Sequence, residues 1–130
     1  MSTLKTILVV EDDAALQRAI LFKLQKEGFK VLAASCAEEA RIILESTKPD
    51  LIWLDMLLPG MGGLQFLELL RKKPEYKAIP VIVVSVSYSR ERIKKAFELD
   101  IIDYIVKSQH ELKDIVEKVK KYLITGSRNG

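Results

Sequence analysis

The sequence holds one cysteine, Cys36, in 130 residues, so no internal disulfide can form and a reducing compartment suits the chain. Cys36 itself is read as a small apolar filler. Histidine is equally scarce: His110 stands alone, and no Cys/His set suggests zinc. Its place in a first helical turn makes it a surface residue. No apolar run approaches the ~20 residues that span a bilayer, and Met1-Ser2-Thr3-Leu4-Lys5 lacks the apolar core of a signal peptide. The expectation is a soluble, cytoplasmic protein with no membrane partner. Charge of one sign is nearly absent as an excess, since 21 basic against 18 acidic residues leave +3. Lys and Arg alternate with Glu along helix-like segments. They read as solvated helix faces, including Arg71-Lys72-Lys73 and Lys118–Lys121, and exclude a nucleic-acid footprint.

What is present is a balanced globular composition, 48% hydrophobic and 30% charged, of a length that fits one domain. Four β-branched or apolar runs are the clearest features: Thr6–Val10, Lys30–Ala34, Leu51–Leu54 and Val81–Val84. Ile102–Val106 is read as a fifth strand. Between and after them lie segments with helical spacing. Leu16, Ile20 and Leu24 mark one from about Ala14 to Glu27. Ser35 and Glu38 have capping-box spacing and open a second over Ala37–Ser46. Phe66, Leu67 and Leu70 mark a third from Leu64 to about Lys73. Arg90 to Leu99 is a shorter and more polar fourth. Ser108 and Glu111 have capping-box spacing again, ahead of a fifth that runs to about Ile124. No internal repeat is visible. Strict strand–helix alternation implies an α/β fold: a parallel sheet with right-handed crossovers and helices on both faces.

The chemistry gathers at strand ends. The first strand runs into Glu11-Asp12-Asp13, the third into Asp55, the fourth into Ser85 and the fifth into Lys107. The carboxyl ends of strands in an open α/β sheet are where ligands bind. Trp53, two residues before Asp55, shares its side of the sheet. Several neighbouring carboxylates repel one another, and a divalent cation is the simplest compensation. Oxygen-only ligands suit a hard ion, Mg²⁺ above all. A carboxylate can attack phosphorus and become an aspartyl phosphate. Such a transfer needs positioning and charge neutralisation more than covalent machinery. Asp55 as nucleophile, Asp12 with the cation, Lys107 as ammonium and Ser85 as hydroxyl supply those parts. Acids at helix N-termini could also be plain caps, but not with Asp55 and Lys107 at neighbouring strand ends.

Over about residues 5–124 the sequence resembles the receiver domains of two-component response regulators. The motifs that carry the resemblance are Ile7-Leu8-Val9-Val10-Glu11-Asp12-Asp13, then Asp55 with Pro59-Gly60 and Gly62-Gly63, then Ser85, then Tyr104-Ile105-Val106-Lys107. The resemblance implies a flavodoxin-like, doubly wound sheet of order 2-1-3-4-5. It implies Asp55 as phosphoacceptor, with Mg²⁺ held by Asp12, Asp55, the backbone carbonyl of Leu57 and, through water, Glu11. Ser85 would hold a phosphoryl oxygen, Lys107 would pair with the phosphate, and the rotamer of Tyr104 would follow Ser85. A histidine kinase or histidine phosphotransfer protein would supply the phosphoryl group. The signal would pass by a changed surface around the fourth helix, fifth strand and fifth helix. It would reach a downstream protein target, or an output domain of the same regulator, from a monomer or a weak phosphorylation-dependent dimer. The module signals rather than acting as an enzyme. Four positions depart from the family pattern: Ser108 stands where proline usually follows the lysine, Ile101-Ile102 replaces a small pair, and Val86 replaces a small residue after the hydroxyl.

Two rival functions fare worse. A phosphatase of the haloacid-dehalogenase type needs a second Asp two residues after the nucleophile, where Leu57 stands. A flavodoxin-like FMN carrier would meet Glu11-Asp12-Asp13, which repels a phosphate. A receiver that only docks would have no use for an intact acidic set. The domain is expected over residues 1–124, with a disordered tail over 125–130. A trans Lys107-Ser108 bond is expected, because a cis bond before a non-proline residue costs about 2.5–4 kcal/mol.

Overall fold

The computed structural model describes residues 4–126. Its sheet has five strands: β1 (Thr6–Val10), β2 (Lys30–Ala34), β3 (Leu51–Leu54), β4 (Val81–Ser85) and β5 (Asp103–Val106). They lie in the order β2-β1-β3-β4-β5, all parallel. The helices are α1 (Ala14–Lys26), α2 (Ala37–Ser46), α3 (Gly63–Lys72), α4 (Arg90–Glu98) and α5 (Leu112–Thr125).

The strand runs are apolar because both sheet faces are covered, as a parallel sheet requires. Alternate residues face opposite layers. Ile7, Val9, Leu51, Trp53, Ile82 and Val84 pack with Ile20 and Leu24 of α1 and Ile115, Val116 and Val119 of α5. Leu8, Val10, Ile52, Leu54, Val81 and Val83 pack with Ala40 and Leu44 of α2, Phe66 and Leu70 of α3, and Ala96 of α4. Register then sets the site. Val10 pairs with Leu54, and the next amides continue the ladder: Asp55 N donates to Val10 O, and Glu11 N to Ala34 O. The residues that follow these strands are thereby brought to one edge.

Several local expectations are corrected. Ser35 does not pair with Glu38: the N-cap of α2 is Cys36, and Glu39 Oε1 accepts from Ser35 N at 2.5 Å. Ser108 does not cap α5. It lies in a 3-10 turn, Lys107–Gln109, and α5 starts after Glu111 without a side-chain cap. The backbone of that turn has taken up the residues a cap would need. The helix α5 ends at Thr125, with Gly126 left-handed behind it; the remainder of the expected tail, 127–130, lies outside the described residues. No described peptide bond is cis. No helix among the described residues is long and apolar enough to cross a membrane.

The basic clusters are not all solvated. Arg71, half-buried at the end of α3, donates to four backbone carbonyls: Leu99 at 2.7 Å, Ile79 at 3.0 Å, Lys77 at 3.1 Å and Asp100 at 3.3 Å. Its planar fork suits several acceptors at once. It ties the α3–β4 connection to the turn after α4. Lys118 pairs with Asp103 at 2.8 Å and Lys120 with Glu27 at 2.9 Å, joining α5 to β5 and to α1.

Candidate phosphoacceptor and metal site

The site begins where β1 stops. Asp13 Oδ1 accepts from Leu16 N at 3.1 Å and caps α1. One acid of the three thus serves the helix and leaves Glu11 and Asp12 for the site. Gln17 holds the corner, its Nε2 donating to Glu11 O at 2.9 Å and to Ala34 O at 3.2 Å. The loop after β3 is fixed by two glycines. Gly60 has φ +73°, a left-handed conformation that glycine adopts without a Cβ penalty. Gly63 opens α3 against the loop so closely that a Cβ would lie 2.4 Å from Asp55 O.

Asp55 is buried, 4% exposed, and both its oxygens are held. Oδ1 accepts from Ser85 Oγ at 2.8 Å and from Leu57 N at 3.1 Å. Oδ2 accepts from Lys107 Nζ at 3.1 Å. Lys107 makes a shorter bond, 2.6 Å, to Glu11 Oε1, and Glu11 is 1% exposed. The resemblance implied a lysine that pairs with the phosphate; the structure places it across both acids. Glu11, Asp12 and Asp55 each bring a carboxylate oxygen within 4.8 Å of the others. Glu11 and Asp55 are buried and Asp12 is exposed.

Burial pushes the Glu11 carboxyl above its usual value, against the opposing hydrogen bonds from Lys107 and the Asp13 amide. Burial alone would lower the Lys107 ammonium. The hydrogen bond to Glu11 and the charge of Asp55 outweigh it, and its pKa is raised. Three carboxylates thus face one ammonium. All the donors are oxygens, two of the carboxylates are shielded from water, and the third opens to solvent. That set fits a hard divalent cation such as Mg²⁺.

Ser85 is also the start of a chain of contacts that leaves the site. Ser87 N donates to Ser85 Oγ at 3.3 Å. Ser87 O accepts from the Tyr104 hydroxyl, and Ser87 Oγ accepts from Arg92 Nη1 of α4 at 2.6 Å. Burial raises the Tyr104 pKa, and the hydrogen bond at Ser87 opposes that rise. Tyr104, expected from the sequence, is therefore turned toward the β4–α4 loop and 9% exposed. Ser87 and Arg92 were not foreseen as partners; their spacing of five carries no helical signal, because Ser87 precedes α4.

Residues 7–120 match the family model of the response regulator receiver domain. A curated relative, the phosphate regulon transcriptional regulatory protein PhoB of Klebsiella pneumoniae, is 35% identical over 116 residues, which is 89% of this chain and 50% of that protein. The chain thus spans about half the length of the curated relatives it matches. Among solved structures, the phosphorylated cyanobacterial phytochrome response regulator RcpA superposes with a TM-score of 0.85 at 29% identity, covering 96% of this chain and 97% of that one. The Mn²⁺-bound form of response regulator Rcp1 gives 0.84 at 26%, covering 95% and 96%. With the strand order, the acidic edge and a family match over most of its length, the chain belongs to the response regulator receiver domains.

Proposed function

We propose that Asp55 is the phosphoacceptor of this domain and that Mg²⁺ assists the transfer. One observation carries the reading: Ser85 Oγ and Lys107 Nζ converge on the two oxygens of Asp55, beside Glu11 and Asp12. In the reaction a carboxylate oxygen of Asp55 forms a P–O bond as the P–N bond of a donor phosphohistidine breaks. The bonding pair returns to the imidazole. The Leu57 amide pins the Asp55 carboxylate, which supports its role as the attacking group. Ser85 and Lys107 offer a hydroxyl and an ammonium to the transferring oxygens, the positioning and charge neutralisation that phosphoryl transfer needs. Asp12, Asp55 and the Leu57 carbonyl would hold the cation, with Glu11 behind through water. When bound, Mg²⁺ supplies charge to balance the phosphoryl oxygens. The donor is a histidine kinase or histidine phosphotransfer protein.

The route outward follows the observed contacts. Movement of Ser85 toward a phosphoryl oxygen disturbs the Ser87 amide. Ser87 holds both Tyr104 of β5 and Arg92 of α4. The surface of α4, β5 and α5 is thus the output face.

The test is intact-mass spectrometry after incubation with acetyl phosphate and Mg²⁺. The expected result is one base-labile phosphoryl group, not formed when the metal is chelated beforehand and absent in Asp55→Asn. Equal labelling of that variant would move the acceptor elsewhere.

A further inference from the structure

Ser87 is held by all three of its polar groups, each by a different part of the chain. Its N–H donates to Ser85 Oγ at 3.3 Å. Its carbonyl accepts from the Tyr104 hydroxyl of β5. Its hydroxyl oxygen accepts from Arg92 Nη1 at 2.6 Å. Arg92 lies in the first turn of α4, where its amide donates to the N-cap hydroxyl of Ser89 at 3.2 Å. The side chain is exposed, yet it turns back five residues to the loop between β4 and α4. Keeping a long side chain in one geometry costs rotamer entropy, which a short charge-assisted bond offsets.

This restraint reaches the phosphoacceptor through Ser85. A serine hydroxyl has one proton, and that of Ser85 is given to Asp55 Oδ1 at 2.8 Å. It cannot serve that oxygen and a phosphoryl oxygen at once. Turning toward a phosphoryl group moves Oγ, the acceptor of the Ser87 N–H, so the loop follows or loses that bond. Arg92 and Tyr104 oppose the movement by tying Ser87 to α4 and β5. We propose that Arg92 is a positioning residue that restrains phosphoryl transfer: its grip on the Ser87 hydroxyl keeps the loop, and with it Ser85, in the arrangement that precedes transfer. The inference rests on Asp55 as phosphoacceptor and Ser85 as the hydroxyl that meets the phosphoryl group. Only molecules in which Arg92 has released Ser87 are competent, so the rate scales with their fraction.

The test is the initial rate at which acetyl phosphate and Mg²⁺ label the full chain, read by intact-mass spectrometry. Arg92→Ala should be labelled about two- to five-fold faster than the parent, the fold-change that one exposed charge-assisted contact represents. Ser87→Ala should be faster by a similar factor, and the double variant no faster than either. Arg92→Lys keeps a charged donor for the single bond and should return to near the parent rate. The direction of the change separates grip from charge. Losing a cation near the site would by itself weaken attraction to an anionic donor and slow the labelling, and a loosened fold would slow it too. The proposal is overturned if Arg92→Ala is labelled at the parent rate or more slowly, if Arg92→Lys is as fast as Arg92→Ala, or if the effects of Arg92→Ala and Ser87→Ala add in full. Undiminished labelling of Asp55→Asn, a separate variant, would overturn the acceptor assignment and this inference with it.

Discussion

Replacing Arg71 by alanine should weaken the fold more than any other substitution at a partly exposed charge. Its guanidinium bonds to two half-buried carbonyls, Leu99 O at 2.7 Å and Ile79 O at 3.0 Å, and to two exposed ones at Lys77 and Asp100. A hydrogen bond from a charged donor contributes about 1.5–3 kcal/mol when desolvated and far less in water. Taking the low figure for the half-buried pair and little for the exposed pair gives a loss of about 3–4 kcal/mol. For a domain of this size that is a melting point lower by roughly 10 °C. Urea unfolding followed by far-ultraviolet circular dichroism measures it, with the m-value unchanged if the native state keeps its shape. Arg71→Lys keeps the charge but offers one compact ammonium where the fork reached four carbonyls in two segments, so it should recover less than half. A loss below about 1 kcal/mol for alanine, or full recovery with lysine, would refute the assignment of a bridging role.

Other outcomes follow from the site. Gly63→Ala should cost at least about 2 kcal/mol and slow acetyl-phosphate labelling, because the new Cβ meets Asp55 O at 2.4 Å and Met56 Cα at 2.6 Å. A change under about 0.5 kcal/mol by urea unfolding would mean the loop yields freely. Lys107→Met removes the ammonium that pairs with Glu11 and Asp55 among the described residues, so Mg²⁺, titrated by Trp53 fluorescence, should bind roughly ten-fold tighter at low salt. Unchanged or weaker binding contradicts the charge argument. Leu57→Asn should shorten the lifetime of phosphorylated Asp55, since Leu57, 42% exposed at the rim, has no group to orient a water and the Ser87 hydroxyl is bonded to Arg92. Mass-spectrometric decay after donor removal reads it.

The strands and their order of appearance were legible because burial on both faces leaves a direct trace: Leu51–Leu54 and Val81–Ser85 are wholly buried. The helices were legible from residues spaced by three and four, and their ends fell within a residue or so. Side-chain partnerships were not legible to the same degree. Arg71 looked like part of a solvated basic run because its acceptors are carbonyls in connections up to 29 residues away. Nothing in local spacing encodes which carbonyls a fold leaves without partners. The two capping boxes failed for a related reason: Ser35 met Glu39 and Ser108 entered a 3-10 turn, choices made by the path of the chain into each helix. The acidic edge was read residue by residue, yet the Glu11–Lys107 pair, its shortest ion contact, was not. Strand ends can be placed at one edge from the pattern, but which acid the lysine favours depends on how deeply each is buried.

That burial makes the edge a place of stored conflict. Glu11 and Asp55 are both nearly inaccessible and share one ammonium, at 2.6 Å and 3.1 Å. One cation cannot offset the desolvation of two carboxylates, so a fold shaped for stability alone would keep one acid here. Asp55→Asn tests this. It removes a buried charge, keeps the shape of the side chain, and leaves Lys107 with its closer partner Glu11. Without divalent metal, the variant should be more stable than the parent by about 1–2 kcal/mol. Added Mg²⁺ should close the gap, because a ligand that favours the native parent stabilises it by about 1.4 kcal/mol at ten times its dissociation constant. If the variant is the less stable protein at every Mg²⁺ concentration, the three charges support the fold. The acidic edge would then have to be explained by packing and hydrogen bonds, with no cost held in reserve for a cation or a phosphoryl group to relieve.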